Sequence, residues 1–445
     1  MGTKRVWSAA GVVALTGALL LTSAPTASAD YVRDQQWVLD VFSMEDTWAE
    51  SQGEGVTVAV VDTGVDGSHA DLSGQVLEGK DFTGGGDAQV DEVGHGTGMA
   101  SLIAAHGHGL GGSSGMIGLA PKAKILPLRT LKKKDDKNLE ETWAAAVRYA
   151  VDQGAKVVNL SFGDEYSRMT GSTGREAIAY AQAHDVVVVA ATGNNGGDVA
   201  YPAALPGVVA VGAVDKDANL WDRSNTGKQV TLTAPGVEIL SANKNRTQGY
   251  GLSSGTSDAA AYVSATAALV RAKYPDLTAG QVINRLIKSA SFLGHKGLKA
   301  PDEGYGYGII RPNKAVTMDI PKGPKEGPLG KLPQASSKAG SASAGNDDSS
   351  TKTKKKSSSI SQLLVIGGIA AVVVIGGIIF AVVRSRGNRG NAGPGSGDPN
   401  GGPPAPSMGY PPQQSHGWPP PHSTEAPGHA QHPNPYNQRP PYQGQ

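Results

Sequence analysis

Five short apolar runs, separated by stretches of helix-forming residues, limit the possible folds more than any other feature of these 445 residues. Val56–Val61, Ala123–Leu128, Val157–Leu160, Val186–Ala191 and Val208–Val214 are rich in Val, Ile or Leu, and none alternates strictly between apolar and polar. A strand with water on one face alternates. An uninterrupted run belongs to a strand covered on both faces, as in a parallel sheet between layers of helices. Gly98–Ala105, Leu139–Gln153 and Gly174–Ala183 supply helical stretches between the runs. Ser257–Tyr274 is another, closed by Pro275, and Thr278–Ser289 reads as a helix capped by Thr278. The expected fold is therefore α/β, a parallel twisted sheet with helices on both faces. Such sheets bind ligands at the carboxyl ends of their strands.

The ends of the chain have a different character. Met1–Ala29 reads as an export signal: Lys4 and Arg5, the short apolar centre Gly11–Leu21, then the small-residue cleavage site Ala27-Ser28-Ala29. Leu363–Val383 is uncharged and, at roughly 21 residues, long enough to cross a bilayer. Lys352 and Lys354–Lys356 flank it on one side and Arg384, Arg386 and Arg389 on the other, so positive charge alone leaves its orientation open. An exported N-terminal part would put Arg384 onward in the cytoplasm. The expected organisation is a signal peptide over 1–29, a globular domain over 30–320 and a Lys/Gly/Ser-rich linker over 321–359. A single transmembrane helix over 363–383 and a disordered Pro/Gly/Gln-rich tail over 384–445 complete it. His416, His422, His429 and His432 are irregularly spaced among prolines and read as part of that solvated tail.

Composition narrows the chemistry. Lys+Arg 40 against Asp+Glu 39 argues against a generally basic nucleic-acid binder. The absence of Cys removes thiol nucleophiles, thiolate metal sites and disulfides. Catalysis is left to hydroxyls, carboxylates, imidazoles and amines.

Three motifs offer such groups. Val60–Gly64 ends an apolar run on Asp62. Gly94–Thr97 places His95 between glycines before a helix, and Ser254–Ser257 places Ser257 at the start of an Ala-rich helix. Singly, each has a plainer reading as a turn former, a cap neighbour or an N-cap. Together they run in the order Asp, His, Ser, one of three unrelated chain orders known for the same catalytic triad. A Ser hydroxyl needs a base to take its proton, and an imidazole titrating near ~6.5 can take it and return it. A carboxylate behind the imidazole fixes its tautomer, and a helix N-terminus favours a developing oxyanion.

On these residues the chain resembles the subtilisin family of serine peptidases, from Trp37 to Asn313. The resemblance implies peptide-bond hydrolysis through an acyl-enzyme intermediate, with Asp62, His95 and Ser257 as triad and no cofactor. A fourth block, Ala191–Gly196, maps Asn194 onto the family's side-chain donor to the oxyanion, with the backbone N–H of Ser257 as second donor. Its plainer reading is turn chemistry. Asn159–Gly163 resembles the segment that pairs with an extended substrate, making Ser161, Phe162 and Gly163 candidate substrate-binding residues for a protein or peptide. No run is specific enough to name a calcium or other metal site.

The chain departs from the family pattern at Asp258 and Ala261, where Met and Pro usually stand. Asp258 puts an anion beside the nucleophile, able to oppose the oxyanion or raise the pKa of His95. Asp34–Asp40 and the C-terminal anchor resemble the mycosin branch, whose members are associated with type VII secretion machinery. Mycosins usually carry disulfides, which this chain cannot form. These implications describe a peptidase outside the cytoplasm on a single-pass anchor in the cell membrane. The alternative is a weakly active or inactive scaffold within a secretion complex. Two runs, Gly111–Gly115 and Gly251–Gly255, also fit the esterase pattern G-x-S-x-G, but neither follows an apolar run.

Overall fold

All five apolar runs become strands of one sheet, which carries two more. In a computed structural model, which describes residues 27–132, 140–163, 172–246 and 248–333, three helices open the fold: α1 (Ala27–Asp34), α2 (Trp37–Val41) and α3 (Met44–Glu50). Then come β1 (Thr57–Asp62), β2 (Lys80–Asp81), α4 (His95–Ala104), β3 (His106–His108), β4 (Ser114–Ile117), β5 (Lys124–Arg129) and α5 (Glu140–Asp152). The middle of the fold is β6 (Val157–Leu160), α6 (Ser172–Ala183), β7 (Val187–Ala191), β8 (Val209–Val214) and β9 (Val230–Pro235). It closes with β10 (Ile239–Ala242), β11 (Tyr250–Ser253), α7 (Thr256–Lys273), α8 (Ala279–Ser289) and α9 (Pro312–Thr317).

The main sheet has the order β2-β5-β1-β6-β7-β8-β9, and every neighbouring pair is parallel. After β1 the chain forms the edge strand β2, returns to fill the place between them with β5, and then crosses to β6 on the other side of β1. The switch point, where a ligand crevice opens, therefore lies between β1 and β6. Two-faced burial explains the unbroken apolar runs. Val58 and Val60 of β1 join one core with α4, α7 and α8, while Ala59 and Val61 join a second core with α5 and α6. In β7, Val187, Val189 and Ala191 face the first core, and Val188 and Ala190 the second.

α7 is buried on nearly every side, which its many alanines permit, since a bulky helix could not lie so close to the sheet. Its register against β6 is fixed by polar groups. Ser264 donates to Asn159 Oδ1 at 2.9 Å, both side chains being fully buried. At α8 the expected cap is present as a capping box: Thr278 accepts from the Gln281 N–H, and Gln281 accepts from the Thr278 N–H.

Residues 321–333, expected to begin the linker, run along the domain instead. Thr278 Oγ1 donates to Lys325 O at 2.7 Å, the Gly207 N–H to Leu329 O at 3.1 Å, and Leu332 is buried. The rest of the linker, the apolar span Leu363–Val383, the tail and most of the leader lie outside the described residues. Among the described residues no helix is long and apolar enough to cross a membrane.

Candidate active site

β1 ends on Asp62, which is 1% exposed and accepts a hydrogen bond from the Thr63 N–H at 2.7 Å. His95 is the first residue of α4, three residues earlier than the apolar pattern starts the helix. Glycine makes this placement possible. Gly94 turns into the helix at φ +90°, and a Cβ on Gly96 would lie 2.0 Å from the carbonyl of Gly64. With that space empty, α4 settles on the end of β1, and His95 Nδ1 comes 2.7 and 2.9 Å from the two oxygens of Asp62. Nδ1 donates there, which leaves Nε2 as the basic nitrogen. Burial alone would lower the pKa of His95. The charge and hydrogen bond of Asp62, with Asp258 and Asp91 adding to them, outweigh that and raise it to about 9.

Sequence reasoning missed Asp91, which organises this corner. Fully buried, it accepts from Thr63 Oγ1 (2.9 Å), the Gly94 N–H (2.7 Å), the Thr97 N–H (2.9 Å) and Thr97 Oγ1 (2.7 Å). A carboxylate at the start of α4 satisfies its free N–H groups and complements its dipole. The available signal was an Asp three residues ahead of the Gly-His-Gly-Thr motif.

Ser257 is the second residue of α7 and 7% exposed. Its hydroxyl donates to the carbonyl of Ser161 at 2.9 Å, and the Ser161 hydroxyl donates back to the carbonyl of Ser257 at 3.0 Å. The start of α7 and the end of β6 are thereby clasped together. In this conformation the Ser257 hydroxyl donates to Ser161 O and makes no hydrogen bond to His95, so attack requires the hydroxyl to turn away from Ser161.

Asn194 follows β7. Its Oδ1 accepts from the Thr256 N–H at 2.8 Å and from Thr256 Oγ1 at 3.0 Å, which orients the amide so that Nδ2 is the outward donor. The point where a Cβ would stand on Gly255 is 3.6 Å from Ser257 N and 3.7 Å from Asn194 Nδ2. Two donors therefore border one spot at the start of a helix.

Ser161, Phe162 and Gly163 extend β6. Ser161 is buried and held by Asn159 Nδ2 at 2.8 Å, Phe162 lies beside Trp143, and Gly163 is exposed. The carboxyl ends of β1, β6 and β7 and the starts of α4 and α7 carry these residues: His95 is bonded to Asp62, Ser257 to Ser161, and Asn194 to Thr256 beside Ser257, while Phe162 packs against Trp143. In the esterase-like run at Gly251–Gly255, Ser253 donates to Asp258. Among the described residues no group of three or more His, Asp or Glu side chains is arranged to hold a metal ion.

Residues 53–308 match the subtilase family. Subtilisin DY of Bacillus licheniformis is 35% identical over 271 residues, covering 60% of this chain and 92% of that protein. Among solved structures, MycP1 from Mycobacterium smegmatis is 30% identical with a TM-score of 0.56, covering 66% of this chain and 87% of that one. The MycP3 protease from the type VII (ESX-3) secretion system is 32% identical with a TM-score of 0.54, covering 63% and 88%. With the α/β sheet and the residues gathered at its strand ends, these matches establish that the chain belongs to the subtilase family and is a subtilisin-like serine endopeptidase.

Proposed function

We propose that this chain is a membrane-anchored, extracytoplasmic endopeptidase that works beside type VII secretion machinery, with Asp62, His95 and Ser257 as its triad. The observation that carries the catalytic reading is the His95–Asp62 pair, 2.7 Å apart at the carboxyl end of β1. Ser257 Oγ attacks the scissile carbonyl carbon while His95 Nε2 takes its proton. The carbonyl electron pair moves onto oxygen, which Asn194 Nδ2 and the Ser257 N–H stabilise. The C–N bond then breaks as His95 returns the proton to the leaving amine, and water repeats the sequence on the acyl-enzyme. Ser161, Phe162 and Gly163, beyond β6, would pair with the backbone of an extended substrate. Support for the anchored location comes from the export-type leader Met1–Ala29 and the apolar span Leu363–Val383. Support for the secretion context comes from the likeness to MycP1 and MycP3.

An active-site-directed fluorophosphonate probe tests the assignment. The full-length chain is expected to be labelled at Ser257, and Ser257→Ala to take up no label while keeping its thermal unfolding midpoint. Equal labelling of both would remove Ser257 from the nucleophile's role; no labelling of the parent would favour the scaffold reading. Asn194→Ala is expected to lower kcat by about 10²–10³ with little change in KM, the known size for such a donor in subtilisin itself. Steady-state kinetics on a peptide substrate measures this, and a loss confined to KM would assign Asn194 to substrate binding instead.

A further inference from the structure

Asp258 is a charged side chain next to the nucleophile that the reaction above does not use. It follows Ser257 on α7, is 2% exposed, and its Oδ1 accepts from Ser253 Oγ of β11 at 2.7 Å. Its Oδ2 lies 3.4 Å from the Cβ position of Gly255, the same point that is 3.6 Å from Ser257 N and 3.7 Å from Asn194 Nδ2. A carboxylate oxygen therefore borders the spot that two hydrogen-bond donors also border.

We propose that Asp258 is an electrostatic brake on this active site: its carboxylate opposes the negative charge developing on the scissile carbonyl oxygen. The proposal rests on the reading of Ser257 as nucleophile and Asn194 as oxyanion donor. A fixed negative charge at an oxyanion site acts on the transition state much more than on the uncharged ground state, so it falls on kcat.

The titratable groups facing Asp258 are His95 from α4 and Tyr262 one turn along α7, with Asp62 and Asp91 acting on the same imidazole. Burial raises the pKa of Asp258 to about 6, against the hydrogen bond from Ser253, the charge of His95 and a backbone hydrogen bond, which all pull it down. Near neutral pH the carboxylate is therefore mostly ionised while His95, raised to about 9, is mostly protonated. Acidification does not release the brake, because His95 stays protonated as Asp258 becomes neutral. Above about pH 9 the base is free but the carboxylate remains charged. Substitution is the way to separate the two.

The test uses the full-length chain and the same fluorophosphonate probe. As the Ser257 Oγ–P bond forms, fluoride leaves, the Ser257 proton passes to His95, and the phosphonyl oxygen takes the oxyanion position. Rates of labelling are measured between about pH 6 and 10, with thermal unfolding as a check on folding. Asp258→Asn is expected to label about tenfold faster near neutral pH, equivalent to about 1.4 kcal/mol off the barrier. Its acid limb should lie below that of the parent, because removing the charge lowers the pKa of His95. Ser253→Ala leaves the carboxylate in place but removes the hydrogen bond favouring its ionised form, so a smaller acceleration in the same direction is expected. It also decides the matter if Asp258→Asn does not fold. Rates at or below the parent's with an unmoved acid limb would overturn the brake and leave the nucleophile assignment standing. Absence of label from the parent and both variants would overturn the two together. Labelling of Asp258→Asn alone would support the brake in its strongest form.

Discussion

Ser257→Ala and His95→Ala are each expected to lower kcat by about 10⁶, and the double variant no further than either alone, the behaviour known from subtilisin itself. The structure explains why the losses should not add. A hydroxyl with no base near it is a weak nucleophile around neutral pH, and an imidazole with no hydroxyl to deprotonate does nothing for the acyl-transfer step. Once one is removed, the other has no remaining task. What survives is the pair of donors around Gly255, Asn194 Nδ2 and the Ser257 N–H, which neither substitution touches. These should keep a residual rate of about 10³–10⁴ over water. Folding should tolerate both changes. Ser257→Ala gives up one hydrogen bond to Ser161 O, while the reciprocal bond from Ser161 Oγ to Ser257 O remains. The His95 side chain is one-third exposed, so its loss leaves no sealed cavity. A double-mutant cycle on kcat, with unfolding midpoints alongside, checks the expectation. A double variant slower than both singles by a further hundredfold would mean that the two residues act independently and do not form one catalytic unit.

The sheet and the site were readable from sequence to unequal depth, for identifiable physical reasons. Strands buried on both faces announce themselves as apolar runs, so β1, β5, β6, β7 and β8 were visible. β9 was missed because Thr231 and Thr233 interrupt it, although it is buried throughout and continues the sheet as an edge strand. β2 has only two residues, too few for any periodicity. The start of α4 was displaced because glycines, which weaken a helix, are required there to let His95 approach Asp62. Asp62, His95, Asn194 and Ser257 were legible through motif blocks, since each sits at a strand end or helix start where the local residues are constrained. The groups that support them were not. Asn159 and Ser253 act through contacts with other elements, which no local pattern encodes, while Asp91 caps α4 from a loop position that the motif itself does not include. The orientation of the Ser257 hydroxyl toward Ser161 was equally beyond sequence, being a rotamer choice made by packing.

Asp62→Asn is expected to lower kcat by about 10⁴, the known size of this change in a triad enzyme, without disturbing the fold. The hydrogen bonds around β1 indicate how. The Thr63 N–H donates to Asp62 Oδ1 at 2.7 Å, and this contact survives only if the new amide keeps its oxygen at that position. Its nitrogen is then forced into the place of Oδ2, which stands 2.9 Å from His95 Nδ1. An amide NH₂ there points a donor at Nδ1, while the amide oxygen 2.7 Å from the same nitrogen still accepts from it, so the ring is divided between tautomers and a fraction of it carries its proton on Nε2. In that fraction the nitrogen that should take the proton from Ser257 carries one itself. Charge acts in the same direction on the pH profile. Burial pushes the pKa of His95 down, and Asp62 supplies the leading opposition that raises it to about 9. Without that charge, the acid limb of kcat/KM should move to lower pH, leaving a slow rate that varies less across neutral pH. The two effects separate experimentally, because the wrong tautomer depresses the plateau while the lost charge displaces the limb. Rate profiles of parent and Asp62→Asn from acid to alkaline pH measure both. A variant within tenfold of the parent at its plateau would show that His95 does not depend on Asp62 for its tautomer, and the role given to the carboxylate would have to be abandoned.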